Sequence, residues 1–168
     1  MKLALRASNH STGNLSRGKL RLAFELPPVT STAATVLVCE DDPSLRLLFR
    51  LTIEPHGYNV VEAGDGRSGI ELARSVEPDL VIVDMGLPDC SGIEVVRAIR
   101  SGEPALAKTP VLMATGSMQP GDRLTAEDAG VDAFLYKPFN MIRLITEVQR
   151  LLGKRETSDP GLSLRRLH

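Results

Sequence analysis

The fold is decided by Val36-Leu37-Val38-Cys39-Glu40-Asp41 and by Leu80-Val81-Ile82-Val83-Asp84, two short apolar runs that each end in acidic residues. A strand of a parallel sheet is buried on both faces, so it reads as an unbroken run of Val, Ile and Leu. Its carboxyl end emerges at the rim of the sheet, where α/β proteins bind their ligands. The two stretches therefore predict carboxylates gathered at a ligand-binding rim.

Three further apolar runs continue this pattern, and segments with helical spacing separate all five. The run 111–114 ends in Thr115 and the run 133–136 ends in Lys137. Alternation of short apolar runs with helical segments is typical of repeated β-α units. The sequence thus predicts an α/β fold, a doubly wound five-stranded parallel sheet with five helices, whose strands lie at 36–39, 59–63, 80–83, 111–114 and 133–136.

The helices are predicted from their caps and from their apolar spacing. The first begins after Asp42 as N-cap, with Pro43 at its first position, and stops at His56-Gly57. The others are predicted at 65–75, 92–100, 123–129 and 141–152. For the fifth helix, which we expect to end before Gly153, the buried positions are predicted to be Ile142, Ile145, Val148 and Leu152.

Charge and composition divide the chain into three parts. Residues 1–34 carry five Lys or Arg and one acid, Glu25, and are rich in Ser, Thr, Asn and Gly, so we expect a flexible basic N-terminal arm or linker. An organelle transit peptide or a linker from a larger protein would have a similar composition. Residues 35–153 are expected to form the folded domain and 154–168 a short C-terminal tail.

Composition also narrows the class of protein. The formal net charge of −1 offers no general attraction for nucleic acid, and no apolar run is long enough for a membrane span. Cys39 lies in a predicted strand and Cys90 in a loop, so a disulfide framework is not expected. We therefore expect a cytoplasmic protein that contacts neither membrane nor nucleic acid directly.

The groups at the strand ends suit metal-assisted phosphoryl transfer. Clustered carboxylates repel one another, and a hard cation with oxygen ligands, Mg²⁺ above all, removes that conflict. Mg²⁺ keeps open positions for phosphoryl oxygens, and the Lys137 ammonium would supply a second positive charge. Asp84 is then the predicted nucleophile that becomes an aspartyl-phosphate, with Thr115 donating its hydroxyl to a phosphoryl oxygen.

Three longer segments contain the strand-end acids and Lys137. They are Val36-Leu37-Val38-Cys39-Glu40-Asp41-Asp42-Pro43-Ser44-Leu45-Arg46, Pro78-Asp79-Leu80-Val81-Ile82-Val83-Asp84-Met85-Gly86-Leu87-Pro88 and Ala129-Gly130-Val131-Asp132-Ala133-Phe134-Leu135-Tyr136-Lys137-Pro138-Phe139. Through these segments, the chain from residue 35 to residue 152 closely resembles the receiver domain of two-component response regulators, which implies a flavodoxin-like fold.

The resemblance implies a metal centre and a phosphoacceptor. Asp84 would accept a phosphoryl group from a histidine kinase. Asp41 and Asp84 would bind Mg²⁺ directly, the Gly86 carbonyl would add a ligand, and Glu40 would act through a water molecule.

The resemblance also implies a conformational switch. Thr115 and Lys137 match the switch hydroxyl and the phosphate-contacting lysine, with a cis Lys137-Pro138 bond, and Phe134 matches the switch aromatic. Phe134 has no phenol group, so a change of its rotamer would involve no hydrogen bond from the ring. Gly86 and Ser117 match the variable positions that flank the phosphoryl group, and their small side chains would neither shield it nor strongly assist an attacking water.

The short segment after the domain bears on how the protein signals, and a few other protein classes share parts of its pattern. Residues 154–168 are too few for a DNA-binding or enzymatic domain, so we expect a stand-alone, non-enzymatic receiver that signals through the surface of its fourth helix, fifth strand and fifth helix. A homodimer would use the same surface. A receiver detached from a hybrid histidine kinase and a Mg²⁺-dependent aspartate-nucleophile phosphatase are the alternatives, although the phosphatase pattern needs an acid where Gly86 stands. A flavin-binding protein would need a phosphate-cradling loop after the first strand.

Overall fold

The computed structural model describes residues 33–116 and 119–158, so the predicted arm at 1–34 lies almost entirely outside the described residues. Within them, five parallel strands form one sheet in the order β2-β1-β3-β4-β5. This confirms the predicted fold class. The strands are β1 (Thr35–Cys39), β2 (Asn59–Ala63), β3 (Leu80–Asp84), β4 (Val111–Thr115) and β5 (Ala133–Tyr136).

Five α-helices connect or follow the strands. They are α1 (Pro43–Ile53), α2 (Gly66–Val76), α3 (Gly92–Arg100), α4 (Pro120–Ala129) and α5 (Met141–Ser158). Short 3₁₀ turns at Glu54–His56 and Leu106–Lys108 were not predicted. Gly57 has a φ of 85° and closes the first of these turns, so the helical stretch stops at the predicted His56-Gly57, although α1 itself ends at Ile53.

The sheet separates two apolar layers because successive side chains of a strand point to opposite faces. Leu37 and Cys39 belong to the layer that α2, α3 and α4 cover, whereas Val36 and Val38 belong to the layer that α1 and α5 cover. β1, β3 and β4 are buried almost throughout. Burial on both faces is the reason these strands read as unbroken apolar runs.

Local capping fixes where the helices near the rim begin. The Asp42 side chain accepts hydrogen bonds from the backbone N–H groups of Ser44 and Leu45, as predicted for the N-cap of α1. Ser91 caps α3 in the same way and completes a capping box with Glu94. Both helices therefore start directly after a loop that carries acidic side chains.

Two predicted helices have different bounds in the structure. α4 begins at Pro120 rather than 123, because the Asp122 carboxylate accepts a hydrogen bond from the Gln119 N–H and stabilises an earlier turn. α5 continues past Gly153 to Ser158, because Gly153 keeps a helical backbone, so the first residues of the predicted tail are helical.

The buried stripe of α5 was predicted partly wrongly. Ile142 is 77% exposed, whereas Leu144, which was not predicted to be buried, is fully inside the core. Val148 and Leu152 are buried as expected, and Ile145 is half-buried against the same layer. The N-terminal turn of α5 therefore presents Ile142 to solvent.

None of the helices in 33–116 and 119–158 combines the length and the apolar character that crossing a bilayer demands.

Candidate functional site

The carboxyl ends of β1, β3, β4 and β5 bring the predicted site residues to one rim. Asp84 is the last residue of β3 and Thr115 the last of β4, while Glu40 follows β1 and Lys137 follows β5. The register pairs Cys39 with Val83, Asp84 with Ala114 and Thr115 with Tyr136. All four ends are therefore level, as expected for parallel strands that start at similar heights.

Lys137 lies between two of the carboxylates. Its ammonium donates to Glu40 Oε2 at 2.7 Å and to Asp84 Oδ2 at 2.9 Å. The Glu40 side chain is only 2% exposed, against 14% for Asp84 and 18% for Lys137. A buried carboxylate needs such a partner, since its uncompensated charge would be costly.

Burial and neighbouring charge shift the pKa values of this pair. Burial raises the pKa of the Glu40 carboxyl above its usual 4.5, the Asp84 charge adds to the rise, and the Lys137 ammonium partly offsets it. Burial lowers the pKa of Lys137, but hydrogen bonds to Glu40 and Asp84 outweigh this effect and raise it above 10.5. Lys137 is therefore a fixed positive charge at neutral pH.

The three acids can share a cation. One carboxylate oxygen from each of Glu40, Asp41 and Asp84 lies within 4.8 Å of the other two. Glu40 is buried, Asp84 half-buried and Asp41 exposed, so the cluster opens to solvent on one side. Hard oxygen ligands with open access suit Mg²⁺, which retains several waters when protein carboxylates bind it. The acids present therefore fit the predicted ion.

Gly86 was predicted to add its carbonyl to the metal ligands, and this role stays a prediction. Its backbone N–H donates to Asp84 Oδ1 at 3.4 Å, which helps to orient the carboxylate. A Cβ added at this position would meet no atom within 4 Å. Ser117, the other variable position, lies outside the described residues.

Thr115 lies at the rim as the last residue of β4. The residue is 2% exposed, and its carbonyl accepts a hydrogen bond from the Lys137 N–H at 2.8 Å. Its Oγ1 makes a long contact of 3.9 Å with Met85 Sδ. The Lys137-Pro138 peptide bond is cis, as the resemblance implied. Thr115 and Lys137 are thus adjacent at the rim, whereas their roles toward a phosphoryl group stay predictions.

Phe134, the predicted switch aromatic, lies under a cation from α4. The Arg123 guanidinium carbon is 5.0 Å from the centre of the Phe134 ring, within cation–π distance. Arg123 also donates to Tyr136 Oη at 3.1 Å and to Glu127 at 2.9 Å. These contacts connect α4 to β5 through one side chain.

Sequence reasoning assigned no role to two residues that hold the rim together. Asp89 accepts hydrogen bonds from the N–H groups of Gly66 and Arg67, which ties the loop after β3 to the start of α2. Arg46 donates to the carbonyls of Glu40 and Asp41. Its position on the first turns of α1, five residues after Asp41, was a usable signal, because α1 starts directly after residues 40–42, the acid loop.

The comparisons with known proteins agree with this geometry. The family model of the response regulator receiver domain matches residues 36–149. The probable transcriptional regulatory protein TcrX of Mycobacterium tuberculosis is 37% identical over 132 residues, covering 77% of this chain and 55% of TcrX. The chain spans about half the length of several curated relatives that it matches, TcrX among them.

Solved structures of receiver domains superpose on the same fold. The chemotaxis protein CheY4 of Vibrio cholerae has a TM-score of 0.67 and 33% identity, covering 71% of this chain and 98% of CheY4. The receiver domain of the sensor histidine kinase PA1611 from Pseudomonas aeruginosa, with a magnesium ion in its active-site cleft, has a TM-score of 0.66 and 27% identity, covering 72% of this chain and 98% of that domain. The chain belongs to the response regulator receiver domain family.

Proposed function

We propose that this domain takes a phosphoryl group from a histidine kinase onto Asp84, with Mg²⁺ as cofactor, and signals through protein contacts rather than as an enzyme. The observation that carries the proposal is the pairing of Asp84 with Lys137 beside three carboxylates that can share one cation. The site is open on the Asp41 side. A phosphohistidine could therefore reach the Asp84 carboxylate from solvent.

The proposed transfer is a displacement at phosphorus. An Asp84 carboxylate oxygen forms the new P–O bond while the P–N bond of the phosphohistidine breaks, and the bond electrons leave with the imidazole, which takes up a proton. Bound Mg²⁺ supplies positive charge that neutralises the carboxylates and the phosphoryl oxygens. Lys137 remains charged throughout and stabilises the negative charge that the acyl phosphate adds.

The proposed switch links this charge to the surface of α4, β5 and α5. Thr115 would reorient its hydroxyl toward the phosphoryl group, and Phe134 would move with it. A groove of about 360 Å³ lies on this face, with Arg123, Phe134 and Tyr136 among its lining residues. This feature supports the proposal that a downstream protein, or a second copy of the chain, binds there.

Two placements of the domain remain as alternatives. The likeness to the PA1611 receiver favours a receiver that works within a hybrid histidine kinase. The likeness to TcrX favours a response regulator, whether or not it acts as a stand-alone domain. The proposed chemistry at Asp84 is the same in both, and a cytoplasmic setting fits both. An aspartate-nucleophile phosphatase is not favoured, since Gly86 stands where that class places an acid.

Intact mass after incubation with acetyl phosphate and Mg²⁺ tests the proposal. We expect one added phosphoryl group in the wild type and none in Asp84→Ala or in the presence of EDTA. Glu71→Ala, which removes an exposed acid on α2 instead, is the matched control and should still be labelled. Phosphoryl labelling that persists in Asp84→Ala would contradict the proposal.

A further inference from the structure

The direction of the Asp41 side chain depends on its backbone. Asp41 is the exposed acid of the cluster, and its carboxylate accepts no hydrogen bond from any residue that the structure describes. Glu40, in contrast, is held through Oε2 by Lys137 and through Oε1 by the Asp42 N–H at 3.4 Å. The orientation of Asp41 as a metal ligand therefore rests on its backbone rather than on hydrogen bonds to its carboxylate.

One guanidinium nitrogen fixes both peptide planes that flank Asp41. Arg46 Nη1 donates to the carbonyl of Glu40 at 2.6 Å and to the carbonyl of Asp41 at 2.9 Å. These carbonyls belong to the peptide groups before and after the Asp41 Cα. Since the two planes set φ and ψ of Asp41, they also set the direction of its Cα–Cβ bond, from which the carboxylate extends.

Arg46 is itself held in place from β2 and from the loop after it. Its Nε lies 3.6 Å from Glu62 Oε2, and its side chain is 20% exposed. A Cβ added to Gly64 would lie 3.4 Å from Arg46 Nη1, at ordinary van der Waals contact, so the guanidinium packs against this loop beside the acid loop. The planar group thus joins α1, β2 and the acid loop.

We propose that Arg46 is a positioning residue for the divalent cation: it holds the Glu40 and Asp41 peptide groups so that the Asp41 carboxylate faces the cluster with Asp84. The inference rests on the proposed use of Mg²⁺ by this site. Groups that orient metal ligands change metal affinity by about 10–100-fold when they are removed. Arg46 acts on the metal only through Asp41 and Glu40.

Coulomb's law alone predicts the opposite change in Mg²⁺ affinity when Arg46 is removed. Removing a positive charge near a cation site should tighten Mg²⁺ binding, because less repulsion remains. Weaker binding after loss of Arg46 would therefore report lost geometry and not lost charge. Arg50, one turn further along α1, gives a matched control, since its Nη1 pairs with Glu62 at 3.2 Å but makes no hydrogen bond to the acid loop.

The test is calorimetric titration of Mg²⁺ into the full chain and its variants. We expect Arg46→Met to raise the Kd for Mg²⁺ by about 10–100-fold, and Arg50→Met to leave it within about twofold or lower it, as expected for charge alone. Arg46→Lys keeps the charge without the planar fork, so its Kd should lie between those of the wild type and Arg46→Met. An unchanged Kd in Arg46→Met, or full recovery in Arg46→Lys, would overturn the proposal.

Two further readouts separate positioning from general damage. In metal-free protein, the amide NMR signals of Asp41 and Asp42 should shift in Arg46→Met and stay in place in Arg50→Met. The rate of phosphoryl uptake by Arg46→Met should return to the wild-type value at saturating Mg²⁺, and a deficit that persists there would contradict the inference.

The inference and the proposed function fail in different ways. A wild type that binds Mg²⁺ but takes no phosphoryl group would end the proposed function and leave the role of Arg46 intact. A wild type that is phosphorylated, with Arg46→Met binding Mg²⁺ as tightly, would do the reverse.

Discussion

Replacing Lys137 by Met measures the free energy that is lost when the Glu40 and Asp84 carboxylates have no lysine to neutralise them. The ammonium contacts Glu40 at 2.7 Å and Asp84 at 2.9 Å, and methionine keeps most of the side-chain volume without charge. In metal-free protein, the variant therefore leaves a Glu40 side chain that is 2% exposed with no cation against it. We expect a marked loss in the free energy of unfolding.

The magnitude follows from the burial of the pair. Removing one partner of a buried ion pair costs about 3–5 kcal/mol, and we expect the low end, about 3 kcal/mol, since Glu40 can take up a proton and Lys137 keeps some contact with water. For a domain of this size that corresponds to a decrease in Tm of roughly 10 °C.

The loss should depend on pH in a definite direction. The pKa of Glu40 is raised in the folded state, so the folded state binds this proton more tightly than the unfolded state does. Its contribution to stability is therefore present below the unfolded value of 4.5 and is lost as pH rises through the folded pKa. Without Lys137 this pKa rises further, so the variant should be closer to wild type at pH 5 than at pH 8.

Urea unfolding followed by circular dichroism in EDTA measures the effect, since the chain has no Trp. Lys108→Met, at an exposed lysine, is the control and should stay within about 0.5 kcal/mol of wild type. Adding Glu40→Gln to Lys137→Met should recover most of the stability. A loss below about 1 kcal/mol at pH 8, or an equal loss at both pH values, would refute the reasoning.

Three other substitutions or reactions test the surrounding structure. Gly92→Ala should cost about 1–3 kcal/mol in urea unfolding, because its Cβ would overlap the backbone carbonyl at the end of β3, whereas Gly121→Ala meets no atom within 4 Å and should not destabilise. Iodoacetamide at pH 8 should label only Cys90 in native protein by peptide mass, since Cys39 is fully buried and burial raises its pKa to about 12; native labelling of Cys39 would contradict the packing. Arg100→Met should cost about 2–4 kcal/mol in the same unfolding assay, because Arg100 donates to three loop carbonyls; a change under about 1 kcal/mol would contradict this.

The sheet was predictable because burial on both faces leaves an unbroken apolar run. β1, β3 and β4 were located to within one residue for that reason. The start of α4 was missed because its cap, the hydrogen bond from the Gln119 N–H to the Asp122 carboxylate, lies before the apolar helical spacing begins. The end of α5 was missed because glycine terminates a helix only when it leaves the helical conformation, and Gly153 does not.

The candidate site was predictable where residues stand at strand ends. Parallel order alone brings Asp84, Thr115 and Lys137 to one rim. Two contacts could not be predicted in this way: the one between Lys137 and Glu40, and the hydrogen bonds from Arg46 to two carbonyls. Both join different secondary-structure elements and depend on where long side chains point, which the residues at strand ends do not indicate. They also depend on how the ends of β1 and β5 and the first turns of α1 are placed around the rim.

The most direct test of the central claim is to locate the phosphoryl group itself. Protein treated with acetyl phosphate and Mg²⁺ is reduced with sodium borohydride, which converts an aspartyl-phosphate to homoserine, and is then digested for peptide mass. The account predicts homoserine at position 84 alone. Homoserine at position 41, or an unchanged residue 84 in protein that has gained the phosphoryl mass, would contradict it.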